Sequence, residues 1–429
     1  MKSYLVEGGE PLRGEVSISG AKNSALKLMA ASLLVPGQVT LGRVPHIKDV
    51  YLMAQVIEGL GAVVDRGDHR LTIDASGPLI GEASYELVTK MRASIQVLGP
   101  LLARLGRARV AMPGGDAIGS RPIDLHLQGL EKMGVKFTSQ HGYVEGVVDR
   151  LTGVSVLLEF PSVGATENLL MAGALAEGVT TIENAAREPE IQDLAAFLNA
   201  CGARVGGVGT PTLVIEGVAE LHSVHHEIVP DRIEAGTYAI AAVATQGEVV
   251  LRDLEPRHLE LPLQKLEQTG ARVQREERAV RVSMDRRPTA IDLVTLPYPG
   301  FPTDLQPLMM VLLSLAAGSS ILTENVFEAR FLFVDELNRM GSSIRVQGHH
   351  AVIRGVPQLS GAPVQVPDIR AGAALVVGGL CAEGSTEVFD SGHIERGYEG
   401  FAETLKSLGA RIQVRSHPAP DPAVHRAHG

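Results

Sequence analysis

Six glycines at near-constant spacing limit what this chain can fold into more than any other feature. Gly61, Gly134, Gly202, Gly270, Gly341 and Gly409 sit in the runs GLGAVV, KMGVKF, ACGARV, QTGARV, RMGSSI and SLGARI, separated by 73, 68, 68, 71 and 68 residues. Each closes a helix-like run and opens a β-rich one. A second series keeps phase with the first. Apolar helical runs end at Gly37, Gly106, Gly178, Gly247, Gly318 and Gly384, and strand-like runs follow, as in LAEGVTTIENA at 175–185. In both series glycine stands where a helix C-terminus needs a residue tolerant of the left-handed conformation, and the β-branched residues after it suit a strand. The chain thus reads as six units of about 70 residues, each with two helices and several strands in βαβ-type alternation.

At 429 residues the chain exceeds what one ordinary core holds, so six units divide into two domains of three. The first-series helices are amphipathic, with Leu263 and Leu266 in one copy and Phe401, Leu405 and Leu408 in another at helical spacing. The second-series helices, such as 169–176 and 309–317, are apolar almost all round, which places them inside with the sheets outside. An open solenoid is the structural rival, but its period is normally tighter and its ends carry capping units. The boundary falls near Pro230, and the cleft between domains is the expected ligand site.

The net charge of −10 with no basic run argues against sequence-independent nucleic-acid binding. It leaves room for a cationic cleft around a small anion. Residues 1–19 carry charges throughout and have no apolar signal-peptide core, and the apolar stretch 305–317 is too short for a membrane span. A cytoplasmic protein is expected, with no membrane association, with Cys201 and Cys381 as buried free thiols, and with a frayed tail from Ser416.

Four segments depart from the repeat. Gly20-Ala21-Lys22-Asn23-Ser24-Ala25-Leu26-Lys27 opens the first buried helix, either as an anion site built from N–H groups and a lysine or as ordinary capping. Residues 112–122, MPGGDAIGSRP, make a long loop, read as an Asx turn or as a lid carrying the acid Asp116 and the anion ligand Arg121. Asp124 and His126 follow it, as part of the same site or as helix N-terminal residues. Asp304, in PGFPTD, is either an N-cap or a general base beside a hydroxyl. Arg330, Arg370 and Arg396 are singly ordinary ion-pair residues. Together with Lys22, Arg92 and Arg121 they can form a cationic cleft suited to carboxylate and phosphate.

These segments resemble the UDP-N-acetylglucosamine enolpyruvyl transferases over residues 1–415. The likeness rests on GAKNSAL, MRASIQVLGPLLARLG, PGGDAIGSRPIDLHLQGLEKMG, SVGATENLLMAGALAEGVTTIENAAREPEIQDLAAFL, PDRIEAGTY, FPTDLQPLM, ENVFEARFLFVDELNRMG and HIERGYEGF. The resemblance implies an α/β fold, a two-domain inside-out α/β barrel of six βαβαββ repeats. The N-terminal strand crosses over, so the domains are 21–229 and 1–20 plus 230–429. It implies phosphoenolpyruvate and UDP-N-acetylglucosamine as substrates, no cofactor and no metal. Lys22, Arg121 and Arg396 would hold the phosphate and carboxylate of phosphoenolpyruvate, with Arg92 and Arg370 nearby, and Arg330 is a further substrate-binding residue. Asn23, Pro122, Asp124, Leu125, Ser162, Val163, Gly164, Asp304 and Val326 would line the UDP-sugar site. Asp304 would take the proton of the sugar 3-hydroxyl, and the lid residue would protonate C3. The chain departs from the family at Asp116, where most members carry the cysteine that fosfomycin alkylates. Asp can deliver a proton but is a far poorer nucleophile toward an epoxide, so an active, fosfomycin-insensitive enzyme is expected.

Three rivals stand beside this reading. The sister transferase acting on shikimate 3-phosphate begins its first helix with a Lys-Ser pair, unlike Lys22-Asn23-Ser24 here. A non-catalytic UDP-sugar-binding paralogue has no reason to keep Lys22, Asp116, Arg121, Asp304 and Arg396 together. A helical-repeat scaffold explains the glycine period but neither the loop nor the arginines. The pairs His225-His226 and His349-His350 lack partners at metal-ligand spacing, and no nucleotide fingerprint is present.

Overall fold

The computed structural model describes residues 2–114, 118 and 123–417. Five four-stranded sheets and one three-stranded sheet repeat a single plan. In the third unit, Ser155–Leu157 runs parallel to Val179–Glu183, which is antiparallel to Thr212–Glu216, itself antiparallel to Arg204–Gly206. The fifth unit repeats this with Leu293–Val294, Ser319–Thr323, His350–Arg354 and Ser343–Gln347. In the second unit the parallel partner shrinks to one bridge, between Glu82 and Arg109.

Two sheets of the later half are completed from the N-terminus. Arg13–Ser17 pairs in parallel with Glu248–Arg252, and Lys2–Glu7 lies between Ser385–Asp390 and Arg411–Ser416. Ser416, expected in the tail, is therefore paired with Lys2, and His417 Nε2 lies 2.7 Å from Ser3 Oγ. The rest of that tail, 418–429, lies outside the described residues.

The helices that are apolar all round are inside, as their composition requires. Every residue of Arg232–Ala244, Gln306–Leu315 and Ile369–Leu380 is buried, and these three helices contact one another. Lys22–Ala31, Leu98–Leu105 and Val163–Gly173 fill the corresponding place in the first half. The buried apolar side chains form two clusters. One runs from Ala21 to Ile228, and the other joins Tyr4 to Ile18 with Ile233 to Ile412. Among the described residues, no helix is long and apolar enough to cross a membrane.

All six first-series glycines have φ between 88° and 103°. The second series divides. Gly106, Gly178, Gly318 and Gly384 are left-handed, but Gly37 is not, and at the fourth copy Gln246 takes the positive φ of 53°. Gly247 is required there for another reason, since a Cβ on it would stand 2.0 Å from the Leu12 carbonyl oxygen. Cys201 is a buried free thiol and Cys381 is only half-buried, and burial pushes both thiols up to about 12.

Two strands of chain connect the clusters. Gly20 and Pro230 face each other in an antiparallel bridge, Ala21 N–H donates to Val229 O at 2.8 Å, and Asp231 N–H donates to Ser19 O at 2.9 Å. Asp231 Oδ1 accepts from the amides of Ile233 and Glu234, and its Oδ2 accepts from the amide of Lys22 at 3.0 Å. One carboxylate thereby fixes the starts of two buried helices, one in each cluster.

Candidate active site

The helix starts fixed by Asp231 open onto a cavity of about 600 Å³ between the two clusters. Its wall includes Lys22, Asn23, Arg92, Asp124, Leu125, Ser162, Val163, Gly164, Asp304, Val326, Arg330, Arg370 and Arg396. Segments scattered over some 375 residues of sequence are thus brought to one place. Asp116, Arg121 and Pro122 lie outside the described residues.

The cations are held by carboxylates in two groups. Asp49, in the first turn of Lys48–Gly59, accepts from Lys22 Nζ at 3.0 Å and from Arg396 Nε at 2.8 Å. Burial opposes ionisation of Asp49, yet Lys22 and Arg396 prevail and hold its carboxyl below the usual range. Since Lys22 and Asp49 come from the first half and Arg396 from the second, this ion triad joins the halves at the cavity. The amide of Lys22 is not open to a ligand, because Asp231 occupies it.

Asp304 forms the second group. It lies in the short turn Thr303–Leu305 and caps no helix. Arg330 Nη2 reaches its Oδ1 at 2.8 Å, and Arg370 Nη2 reaches its Oδ2 at 3.3 Å. Burial works against the charge, but the two guanidinium groups hold the carboxyl well below the ordinary carboxylate range. In this arrangement Asp304 is a weak base, and it gains basicity only if a competing anion draws the arginines away. Asp368 anchors Arg370 by capping Ile369–Leu380, and the guanidinium sits 5.1 Å from the Tyr398 ring centre.

Elsewhere on the wall, Ser162 caps Val163–Gly173, accepting from Ala165 N–H at 3.3 Å, so the helix N-terminus with Val163 and Gly164 faces the cavity. Such an end favours negative charge. His126, left open by the sequence, belongs to this wall. Asn168 Oδ1 accepts from Gly99 N–H at 2.8 Å, so its amide nitrogen is the donor to His126 Nδ1, also at 2.8 Å. The ring proton therefore sits on Nε2. Burial, reinforced by Arg92 and Lys27, pulls its pKa down to about 3, so the ring stays neutral.

Several cavity residues were not among the site residues the sequence suggested. Arg232 is buried and bidentate on Glu190, with contacts of 3.1 and 3.3 Å. Glu188 accepts from Tyr298 N–H at 3.3 Å and is shifted up by burial. Lys27 pairs with the fully buried Glu167 at 3.1 Å, whose pKa burial nevertheless raises to about 7. Asp49 is the most consequential of those missed. An acid in the first turn of an amphipathic helix reads as an ordinary dipole partner, and only the fold reveals its two cations.

The protein-family model of EPSP synthase (3-phosphoshikimate 1-carboxyvinyltransferase) matches residues 6–405. Curated relatives named UDP-N-acetylglucosamine 1-carboxyvinyltransferase include those of Corynebacterium efficiens and Mycobacterium tuberculosis. Both are 53% identical over 410 residues, covering 96% of this chain and 97% and 98% of the relatives. Among solved structures, the enolpyruvyl transferase NikO from Streptomyces tendae superposes with a TM-score of 0.88 at 26% identity, covering 97% of this chain and 99% of that one. EPSP synthase from Acinetobacter baumannii shares the fold alone, with a TM-score of 0.74 at 18% identity, covering 97% of this chain and 100% of that one. With its six-unit architecture and these relatives, the chain belongs to the UDP-N-acetylglucosamine 1-carboxyvinyltransferase family and is a transferase.

Proposed function

We propose that this enzyme transfers the enolpyruvyl group of phosphoenolpyruvate to the 3-hydroxyl of UDP-N-acetylglucosamine and releases phosphate, the first committed step of peptidoglycan precursor synthesis. The observation that carries the reading is the convergence of Lys22, Arg92, Arg330, Arg370 and Arg396 with Asp304 in one cavity, which the N-terminus of Val163–Gly173 also lines. Clustered cations suit a small anion bearing both carboxylate and phosphate, and the helix end suits a diphosphate. We place the domains at 21–229 and at 1–20 plus 230–429, in keeping with the two apolar clusters.

Lys22, Arg121 and Arg396 take the phosphate and carboxylate of phosphoenolpyruvate, aided by Arg92, Arg330 and Arg370. Asn23, Pro122, Asp124, Leu125, Ser162, Val163, Gly164 and Val326 seat the UDP-sugar. Binding of the first anion draws Arg370 and Arg330 off Asp304, and the carboxylate recovers its basicity as the sugar arrives. Asp304 then accepts the 3-hydroxyl proton while the oxygen bonds to C2, and Asp116 delivers a proton to C3. The tetrahedral ketal loses a proton from the new methyl group as the C2–O bond to phosphate breaks. For Asp116 to act as an acid at neutral pH, desolvation or a bound anion has to raise its pKa. An Asp at this position also makes the enzyme insensitive to fosfomycin.

Addition–elimination has a direct test. In deuterated water the transferred vinyl group is expected to acquire solvent deuterium at C3, because protons of the transient methyl are equivalent. A product formed without deuterium contradicts the ketal route.

A further inference from the structure

Away from the cavity, His46, Asp68 and His69 bring ligand atoms within 4.8 Å of one another, the one such group of His, Cys, Asp or Glu among the described residues. His46 precedes the helix Lys48–Gly59, and Asp68 and His69 form the tip of the hairpin joining Val63–Gly67 to Arg70–Asp74. A further carboxylate, from the other half of the molecule, stands beside this group without belonging to it. Glu399, in the loop before Phe401–Ser407, places Oε1 3.6 Å from His69 Nε2. His46 Nε2 stands 3.2 Å from Asp68 Oδ1, and His69 Nε2 stands 3.8 Å from the same oxygen.

The 3.2 Å separation is close to the edge of a coordination tetrahedron, and those of 3.6 and 3.8 Å have to shorten, with Glu399 rotating toward the ion. Bonds of about 2.0–2.1 Å from zinc to nitrogen or oxygen put neighbouring donors about 3.3–3.4 Å apart. The donors are also oriented from behind, as metal ligands are. His69 Nδ1 lies 3.1 Å from the Val44 carbonyl oxygen, which accepts its proton and leaves Nε2 as a lone pair. Glu399 Oε2 accepts from the His46 amide at 3.0 Å, turning Oε1 toward His69. Tyr51 hydroxyl stands 3.4 Å from His46 Nδ1. One contact competes: the His69 amide approaches His46 Nε2 at 3.3 Å, a long hydrogen bond that a cation has to displace.

We propose that His46, His69, Asp68 and Glu399 form a binding site for a divalent cation of the zinc or cobalt type, and that its ligation joins the two halves of the molecule. Two imidazoles with two carboxylates select such an ion over magnesium or calcium, which favour all-oxygen sets. Glu399 lies three residues beyond Arg396, the second-half member of the Asp49 triad. The ion therefore favours the arrangement that holds Arg396 at the cavity, and it does so without touching a substrate.

The test is a cobalt titration of the full chain after chelator treatment. The expected result is the intense visible absorption of tetrahedral Co²⁺, saturating at one equivalent and bleached by Zn²⁺. His46→Gln combined with His69→Asn is expected to abolish it. Asn is chosen because position 69 has φ 47°, which Asn tolerates. Glu399→Gln is expected to weaken binding at least about tenfold. No tetrahedral spectrum, or one that survives the double substitution, overturns the site. Unchanged affinity in Glu399→Gln overturns the bridging of the halves and leaves the ion on the first half alone.

Discussion

Asp49→Asn isolates the ion triad that joins the halves. Each contact, at 3.0 Å to Lys22 and 2.8 Å to Arg396, is worth roughly 5–6 kcal/mol of gross attraction at an effective dielectric constant of about 20. Desolvation offsets most of that while the triad is intact. Substitution removes the Asp49 charge from between two cations, the Lys22 side chain being 9% and the Arg396 side chain 19% exposed. Breaking such a buried set costs about 3–5 kcal/mol. The residual exposure of Arg396 screens part of it, so about 3 kcal/mol is expected, read as a lower urea midpoint at unchanged slope. The sign with pH follows from the depressed pKa of Asp49. Its contribution is present above the unfolded carboxyl value of about 4 and is lost as pH falls through the lower folded value. The difference between wild type and variant should therefore hold at neutral pH and close in acid. A loss under about 0.5 kcal/mol, as for an ordinary surface change, refutes the reasoning. So does a difference that persists in acid.

Glu234 is buried, bound by Ser19 N–H at 2.8 Å and Ser19 Oγ–H at 2.6 Å, and burial together with Asp231 raises its pKa to about 7. A raised carboxyl stabilises below its unfolded pKa and loses that contribution as pH climbs through 7. Glu234→Gln should thus flatten the stability decline between pH 5 and 8 by on the order of 2 kcal/mol, and an identical slope in urea titrations contradicts this. Asp304→Asn should lower kcat by about 10²–10⁴-fold with the fold retained, whereas a variant changed only in KM would remove the base assignment. Asp116→Cys should keep turnover and gain time-dependent, covalent inactivation by fosfomycin, seen as an adduct by mass spectrometry. Inactivation of the wild type with an adduct on Asp116 would sink the insensitivity argument.

The architecture was legible because it is written in local chemistry repeated six times. A glycine at a left-handed helix end, followed by β-branched residues, needs no partner elsewhere in the chain to be recognised. Gly247 shows the limit of that reading, since its role is a close approach to Leu12, more than 230 residues away in sequence. In the site, Lys22, Asp304 and the later arginines stood out as departures from the repeat. What they do was less visible. Asp304 alone reads as a cap or a base, and only the fold shows two arginines on it. Asp49 and Arg396 are 347 residues apart, and the buried Arg232 meets Glu190, 42 residues before it. Pairings of that kind depend on how two halves meet, which periodicity does not encode. The His46, His69 and Glu399 group is hidden for the same reason.

Phosphate release from phosphoenolpyruvate, with UDP-N-acetylglucosamine and shikimate 3-phosphate offered in parallel, tests the central claim most directly. Release with the UDP-sugar alone is the predicted result. Release with shikimate 3-phosphate, or silence with both acceptors from folded protein, contradicts it.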